Sequence, residues 1–515
     1  MQSTRRRGAS APRAVVRWVE SGRGSVLLGV LALMTLFRLP YVWAPLSSDE
    51  GGFLLVAHQW GATDGSLYGN QWVDRPPGLL LVFRAADVLS EALGDRVALR
   101  LVALLLAAVA VVAAWFAGRT LGGARGAVAA ALVVTALTST PMFSGPRLMT
   151  ALPGVTLVAV SVALALAATY EARTARAQVL LAAAAGAAGA SALLMKQNFA
   201  DGIVFAAVLW VVAGARGRRL VLPGVAGAAV PLLLTLWWAA TGPGVGTLWE
   251  ALFGFREEAL SVILSSSTVA PAERALVFGL AILASGAALL AGVTVWAIVR
   301  ERRRAAAIAT LALLGWAVFG IAGGGSWWRH YALQLAVPLA LGAALAMRSG
   351  LIRTVRVAVS LALAATLVAV AWLAPAAVRD WPSSGTAAGE WIHDHARPGD
   401  SGLVAYGSPQ VLRVGGLFAP YEYSWSLPIR VRDPDLVQMT AVLSGADAPE
   451  WLVEMGSFTW WGIDTAAFRE VVATRYREVA DVCGHHIYLR IDVRRDLEGL
   501  TEWCPDLYGR TTGSS

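Results

Sequence analysis

Long apolar segments alternate with short polar ones from Gly24 to the middle of the 370s. A bilayer core is crossed by about 20 apolar helical residues, so segments of that length predict transmembrane helices. The chain is therefore predicted to be a polytopic α-helical membrane protein with about eleven spans. The predicted spans are residues 25–43, 97–117, 127–143, 150–170, 179–195, 198–213, 221–240, 274–299, 305–322, 331–347 and 357–376, of which 198–213 is the shortest.

One further apolar segment, residues 78–93, is left out of the spans. It is shorter than a bilayer core and carries Arg84, Asp87 and Glu91, which are costly to expose to lipid. We interpret it as an amphipathic helix in the membrane interface. Counting it as a span would also move every later arginine cluster to the opposite side of the membrane.

Composition agrees with the membrane class. Of 515 residues, 57% are apolar and only 15% are charged, whereas a soluble domain carries roughly 25% charged residues. Disordered, collagen-like and coiled-coil classes are thereby excluded. A net charge of +8 and a pI near 9.9 are compatible with nucleic-acid binding. The positions of the arginines instead indicate the lipid bilayer as the partner and no nucleic acid.

The arginines predict the orientation of the chain. With a cytosolic N-terminus, alternate loops hold 20 Arg against only Glu20, Glu171 and Glu301, as the positive-inside rule requires. Residues 1–24 then form a basic cytosolic arm, and an odd number of spans makes the C-terminal part extracytoplasmic. The Ala-, Gly- and Arg-rich composition, with one Lys, favours a bacterial plasma (inner) membrane. The 20 arginines are Arg5, Arg6, Arg7, Arg13, Arg17, Arg23, Arg119, Arg125, Arg173, Arg176, Arg216, Arg218, Arg219, Arg300, Arg302, Arg303, Arg304, Arg348, Arg353 and Arg356.

Residues 377–515 are predicted to form a small soluble α/β domain. Their apolar runs shrink to strand length, as in "GLVAY" at 402–406 and "HIYLR" at 486–490, and alternate with helical stretches. These stretches are 385–396, 434–444 and 464–476. The only two cysteines, Cys483 and Cys504, fall in this domain and, in an oxidising compartment, are expected to form a disulfide. Two buried free thiols are the alternative.

The loop of residues 44–96 carries the first candidate chemistry. Asp49 and Glu50 follow the first span in "PLSSDEGGF". Adjacent carboxylates raise each other's pKa when they are covered, which suits a general base, with a divalent cation as a possible companion. An ordinary solvated helix cap is the alternative.

Further on in the same loop, Asp74 and Arg75 precede Pro76 and Pro77. The prolines prevent helix formation just before residue 78 and fix the orientation of Arg75 at the membrane rim. A rigid cation there suits an anion receptor. A surface Arg before a proline-capped helix is the alternative.

Other ionisable groups fall on the same predicted side. They are Arg147; Lys196, the only lysine; Arg329; and His330, which is followed by Tyr331. Ionisable groups at a membrane rim are candidate substrate-binding groups.

Each of these groups has an ordinary structural alternative. For Lys196 the alternative is an ion pair with Asp201. For Arg329 it is a snorkelling position beside Trp327 and Trp328. For His330 a satisfied histidine competes with a metal ligand. The external segment 241–273, with Arg256, is either a lid over the acceptor site or a plain interfacial helix.

Together these motifs carry a family resemblance. An acidic pair after the first span, followed by Asp74-Arg75-Pro76-Pro77-Gly78-Leu79, resembles the polyprenyl-phosphate-dependent glycosyltransferases of the GT-C superfamily. The resemblance is to the branch with the aminoarabinose transferases and protein O-mannosyltransferases. That branch typically has Asp-Glu and then Lys-Pro-Pro or His-Pro-Pro with Leu downstream, so here Arg replaces the usual Lys or His and a Gly precedes Leu.

The resemblance implies a GT-C-like membrane domain over residues 25–376 and a polyprenyl-phosphate-linked sugar donor. Asp49 would be the base for an acceptor hydroxyl on a glycan, lipid or protein, with Glu50 supporting it or sharing a cation. Asp74 and Arg75 would line the donor pocket, with Arg75 meeting the lipid phosphate, and transfer would invert the anomeric carbon. No cofactor is certain, and a divalent cation stays open because members of the family differ. A lipid or solute carrier, a flippase with an accessory external domain and a non-catalytic scaffold are the alternatives.

Overall fold

The computed structural model describes residues 23–61, 67–69, 71–265, 270–302, 304–379, 385–455, 463, 465–497 and 500–504. The predicted basic arm therefore lies outside the described residues, apart from positions 23 and 24. The helices are α1 (Arg23–Arg38), α2 (Ser48–Gln59), α3 (Pro77–Leu93), α4 (Asp95–Ser139), α5 (Ala151–Tyr170), α6 (Ala175–Leu193), α7 (Asp201–Val212), α8 (Ala215–Thr241), α9 (Val245–Trp249), α10 (Phe255–Ser265), α11 (Ala270–Ala284), α12 (Ala287–Arg300), α13 (Ala305–Ala322), α14 (Ala336–Arg348), α15 (Ile352–Arg379), α16 (Thr386–His395), α17 (Gln410–Gly415), α18 (Ser426–Arg432), α19 (Val437–Ser444) and α20 (Ala466–Arg475). Short 3₁₀ segments span Leu39–Trp43, Pro141–Phe143 and Arg329–Leu335, and a π-helical turn spans Glu250–Gly254.

The membrane-spanning part follows the predicted segments. Among the described residues, eight helices are long and apolar enough to cross a bilayer, and the bent pair α11–α12 makes a ninth. The 45-residue α4 breaks at Gly123, which has a φ of 65°. A Cβ on Gly118 would lie 2.4 Å from the Gly126 carbonyl oxygen, so the two halves fold back on each other. With the 12-residue α7, these elements match each of the eleven predicted segments.

Two helices of the first loop lie against one end of the bundle. Helix α3 begins at Pro77, where the prolines predict it, and buries one face, including Leu79, Leu80 and Phe83. The amphipathic helix predicted over 78–93 is confirmed as an element.

The C-terminal part is a small mixed sheet with helices, as predicted. Its strands are β1 (Gly402–Ala405), β2 (Trp451–Glu454), β3 (Tyr476–Val482), β4 (His485–Arg490) and β5 (Thr501–Trp503). The spatial order is β1-β2-β4-β3-β5, in which the two outer pairs are parallel and the central pairs antiparallel. A disulfide joins Cys483 and Cys504, as expected, and ties the end of β3 to the residue after β5.

This sheet domain packs directly on the first-loop helices. Gln59 donates to the carbonyl of Leu417 at 3.3 Å. Arg413 binds Asp95 through two hydrogen bonds of 2.8 Å and lies 3.0 Å from Asp87 on α3. The C-terminal domain thus covers the end of the helix bundle at which the first-loop helices α2 and α3 lie.

Candidate active site

Helix α2 determines where the acidic pair points. Ser47 caps the helix: its hydroxyl accepts from the Glu50 N–H at 3.2 Å, and its own N–H donates to a Glu50 carboxylate oxygen at 3.2 Å. This reciprocal capping box fixes both acids in the first helical turn. Asp49 and Glu50 therefore point in different directions, and the structure gives them different surroundings.

Glu50 is fully buried and held by protein donors. Its carboxylate pairs with Arg100, lies 3.2 Å from Arg147 Nη1 and accepts from the Leu148 N–H at 2.9 Å. Burial alone would raise its pKa, but Arg100 and Arg147 outweigh burial and lower the pKa to about 2. Protein donors hold both carboxylate oxygens, so Glu50 anchors the loop.

Asp49 instead faces a cavity of about 840 Å³. It is half-buried and accepts a hydrogen bond from the Trp425 indole of the C-terminal domain. Burial raises its pKa, and the nearby Arg75 charge partly offsets that increase. A carboxylate with a raised pKa, open to a cavity, is suited to accept a proton.

Asp74 and Arg75 line the same cavity, as the two motifs predict. Arg75 Nη1 lies 2.6 Å from one Asp74 oxygen, and Arg256 pairs with the other. Tyr68 donates its hydroxyl proton to the Arg75 carbonyl at 2.6 Å, and Gln197 donates to the Asp74 carbonyl at 3.0 Å. The backbone of the motif is thereby fixed. Arg75 Nε is buried with no hydrogen-bond partner in the described part of the chain, so a donor remains for a ligand.

Lys196 belongs to this cationic group and not to a pair with Asp201. Its ammonium lies 3.5 Å from the centre of the Tyr331 ring, whereas Asp201 accepts from Gln334 at 2.8 Å. The predicted alternative of a Lys196–Asp201 ion pair is therefore wrong. Burial, and after it the charges of Arg75 and Arg256, lower the pKa of Lys196 well below its usual value. An anion bound here would restore the charged form.

The segment that follows α8 also reaches the site. Phe255 is buried, and its ring centre lies 4.6 Å from that of Trp72. The next residue, Arg256, forms an ion pair with Asp74. From the C-terminal domain, Arg432 pairs with Glu250 and lies 3.5 Å from Glu258. The segment thus connects the cationic group to the sheet domain.

The Trp-Trp-Arg-His-Tyr stretch forms another wall of the cavity. Arg329, His330 and Tyr331 all line it. His330 is buried with its ring 4.9 Å from that of Tyr331, while Arg329 and Trp328 are exposed. The stretch thus places Arg329, His330 and Tyr331 on the cavity wall, while a snorkelling position of Arg329 stays a prediction.

Arg147 differs from the prediction. Its guanidinium donates to the Pro45 carbonyl at 2.8 Å and to Glu50, and it lines a neighbouring cavity instead of the one with Asp49. It is not placed to meet a phosphate beside Arg75, because Glu50 directs it elsewhere.

Several cavity residues carry no local sequence signal. Trp425 and the residues after it come from the C-terminal domain, and Glu273 and Arg274 come from the start of α11. The Arg274 guanidinium lies 4.8 Å from the centre of the Trp328 ring. Only tertiary packing brings these residues to the site, so no motif in the chain points to them.

The site does not fit the suggested protein-held cation. In the ranges that the structure describes, no group of three or more His, Cys, Asp and Glu side chains is arranged to hold a metal ion. Glu50, one of the two candidate ligands, is fully used by protein donors. We therefore derive no step through a metal.

Comparison with solved structures identifies the architecture. ArnT from Cupriavidus metallidurans, solved bound to undecaprenyl phosphate, superposes with a TM-score of 0.61 over 93% of this chain and 98% of its own, at 16% identity. The chain shares the fold of ArnT. An oligosaccharyltransferase from Archaeoglobus fulgidus, solved with Zn and sulfate, matches with a TM-score of 0.55 over 92% of this chain and 73% of its own, at 15% identity. The archaeal oligosaccharyltransferase AglB, solved with an inhibitory peptide and a dolichol-phosphate, gives a TM-score of 0.51 at 12% identity over 85% and 70% of the two chains.

No family model matches the sequence, and a search of curated proteins finds no match. At these identities the GT-C likeness concerns the fold.

Proposed function

We propose that this protein is a membrane glycosyltransferase that moves a sugar from a polyprenyl phosphate to an acceptor hydroxyl. The observation that carries the proposal is that Asp49, Asp74 and Arg75 line one cavity. A base and a fixed guanidinium in one cavity are the two groups that such a transfer needs. The similar fold of ArnT, solved with undecaprenyl phosphate, supports a lipid-phosphate donor.

In the proposed reaction, Asp49 takes the proton of the acceptor hydroxyl. The acceptor oxygen forms a bond to the anomeric carbon from one face, and the bond to the phosphate oxygen breaks on the other, so configuration inverts. The electron pair leaves with the polyprenyl phosphate. That leaving group is a weak base and needs cations more than an acid, which Arg75, Arg256 and Lys196 supply.

Arg is a suitable replacement for the Lys or His of related motifs. Its guanidinium offers two parallel donors to a phosphate, whereas an ammonium is a point charge. Asp74 holds the guanidinium of Arg75 in place, and the buried Nε keeps one donor available. We assign Arg75 to the donor phosphate and Asp74 to its orientation.

We further propose that the reaction takes place on the extracytoplasmic side of the bacterial plasma membrane. Asp49 lies at the bundle end covered by the C-terminal domain, and the predicted topology puts that domain outside. The proposed domain organisation is the one predicted: a basic arm over 1–24, a membrane domain over 25–376 and an external domain over 377–515. The segment 241–273 is proposed to act as a lid, since Arg256 within it reaches Asp74.

A donor panel tests the function. Purified full-length protein in nanodiscs is incubated with polyprenyl-phosphate sugars of different head groups, and free polyprenyl phosphate is measured by mass spectrometry. We expect one donor to be consumed by wild type and not by Asp49→Asn. Transport of lipid or solute in vesicles, with every glycosidic bond intact, would instead support a carrier or flippase.

A further inference from the structure

A second cavity of about 850 Å³ lies beside the one that contains Asp49. It is lined by Tyr41, the turn after Pro141 and the last two turns of α15. Its lining includes three arginines, Arg147, Arg329 and Arg379, and no Asp or Glu. The described walls of this cavity therefore carry only positive charge, which favours an anionic ligand.

The three guanidinium groups are occupied to different degrees. Arg147 is engaged by Glu50 and the Pro45 carbonyl, and Arg379 Nε donates to the Pro375 carbonyl at 3.3 Å. Arg329 is exposed and, among the residues that the structure describes, has neither a hydrogen bond nor an ion pair. Arg329 and the free nitrogens of Arg379 are thus open to a phosphate, a group whose geometry guanidinium matches.

The part of the lining that comes from α15 is mostly apolar and exposed. Trp372 lines it and is 79% exposed, and Val368, one turn earlier on the same face of α15, is 66% exposed. Helix α15 is one of the helices long and apolar enough to cross a bilayer, so we expect this exposed apolar face to contact lipid. A ligand that fills the cavity from this side has an apolar chain along α15 and an anionic head at the arginines.

The second cavity and the Asp49 cavity share part of their walls. Ser144 and Arg329 line both. A head group at Arg329 is therefore next to the space in front of Asp49. Arg75, Asp74 and Trp425 line only the Asp49 cavity, so the two spaces have separate cationic groups.

We infer that the second cavity binds an anionic membrane lipid, and that this lipid is the acceptor whose head-group hydroxyl reaches Asp49 past Ser144 and Arg329. The acceptor role rests on the proposed function, whereas the lipid site does not. In the transfer, the lipid hydroxyl gives its proton to Asp49 and its oxygen bonds to the anomeric carbon. The bond from that carbon to the donor phosphate breaks, and its electron pair leaves with the polyprenyl phosphate.

Lipid binding to purified full-length protein, measured by native mass spectrometry, tests the site. The probes are phosphatidylglycerol, phosphatidylcholine, undecaprenyl phosphate and free glycerol phosphate. The test variant is Arg329→Gln with Arg379→Gln. The matched control is Arg353→Gln with Arg356→Gln, which removes two exposed charges from the far end of α15.

We expect the test variant to lose about tenfold in affinity for phosphatidylglycerol, as the loss of charge-assisted hydrogen bonds predicts. Affinity for undecaprenyl phosphate and the behaviour of the control should not change. Unchanged phosphatidylglycerol binding would overturn the site, and an equal loss for undecaprenyl phosphate would assign the cavity to the donor. Glycerol phosphate binding as tightly as phosphatidylglycerol would show a free-phosphate site and overturn the lipid inference.

A separate assay tests the acceptor role. It measures sugar transfer to phosphatidylglycerol-class lipids in the nanodiscs used for the donor panel. Transfer that the test variant reduces about tenfold, in parallel with lipid binding, supports the role. If no donor is consumed while lipid binding behaves as expected, the proposed function fails and the lipid site stands. If a donor is consumed and the transfer rate is the same in the test variant, the acceptor inference fails alone.

Discussion

Arg256 forms an ion pair with Asp74, joining the segment after α8 to the Asp-Arg-Pro-Pro motif. The other Asp74 oxygen holds Arg75, so a single carboxylate orients two cations toward one cavity. If Asp74 acts by orienting them, its effect on donor binding should depend on Arg256. A phosphate contact made by two guanidinium groups needs both to be fixed.

We therefore predict non-additive effects in the variants Asp74→Asn and Arg256→Ala. Each should raise the donor KM by about tenfold, and the double variant should be little worse than the worse single one. Donor KM in a steady-state transfer assay is the measurement. Glu257→Gln, an exposed neighbour on the same helix, is the control. Additive losses in the double variant would show that the two residues act independently.

Substitutions of Glu50 and Asp49 should differ in their effect on stability, although both should abolish sugar transfer. Glu50→Gln leaves the buried Arg100 and the half-buried Arg147 without their shared anion, and breaking a buried pair costs about 3–5 kcal/mol. Asp49→Asn removes no ion pair and should leave the thermal unfolding midpoint in detergent nearly unchanged. Both variants should lose sugar transfer. A Glu50→Gln protein as stable as wild type would contradict the anchoring role of Glu50.

The pH profile should report Asp49. Because its pKa is raised, the ionised base is lost as pH falls through that raised value, and the acidic limb of kcat should lie above the usual aspartate range. The Trp425 hydrogen bond lowers this pKa, so Trp425→Phe should move the limb to higher pH. A purely structural role of Trp425 would reduce kcat without moving the limb. Trp237→Phe, at an exposed tryptophan of α8, is the control.

Docking of the C-terminal domain should depend on two glycines of α2. A Cβ on Gly51 would lie 2.4 Å from Gln410 Cβ, and one on Gly52 would lie 2.4 Å from the Trp425 ring. Alanine normally stabilises a helix relative to glycine, but here the overlap should destabilise by about 1–3 kcal/mol and displace Trp425 from Asp49. Gly29→Ala, with nothing within 4 Å, should be tolerated. Limited proteolysis and transfer rate are the measurements, and wild-type values for Gly51→Ala would refute the contact.

The sequence predicted those parts of the fold whose signal is local. Apolar segment length identified the spans, and Pro76 and Pro77 identified the start of α3, because helix length and proline geometry act within a few residues. The break within α4 was also expected, since Arg119 and Arg125 interrupt the apolar pattern around Gly123. Asp49 lines one cavity with Asp74 and Arg75, as expected, whereas Glu50 of the acidic pair points elsewhere.

What the sequence did not predict depends on long-range pairing. The pair of Glu50 and Arg100 joins a loop to the inside of a span, and no local pattern encodes it. Lys196 and Asp201 are close in the chain, but the residues between them form turns and do not share a helical face. Trp425 reaches Asp49 only because the sheet domain docks on α2.

The central claim is that Asp49 performs chemistry on a donor that Arg75 binds. The most direct measurement compares donor affinity and single-turnover transfer for Asp49→Asn and Arg75→Ala in the same nanodiscs. We predict that Asp49→Asn binds the donor like wild type but transfers at least about 100-fold more slowly, the range for loss of a general base, whereas Arg75→Ala loses donor affinity. Transfer by Asp49→Asn at a wild-type rate, or wild-type donor affinity in Arg75→Ala, would contradict the account.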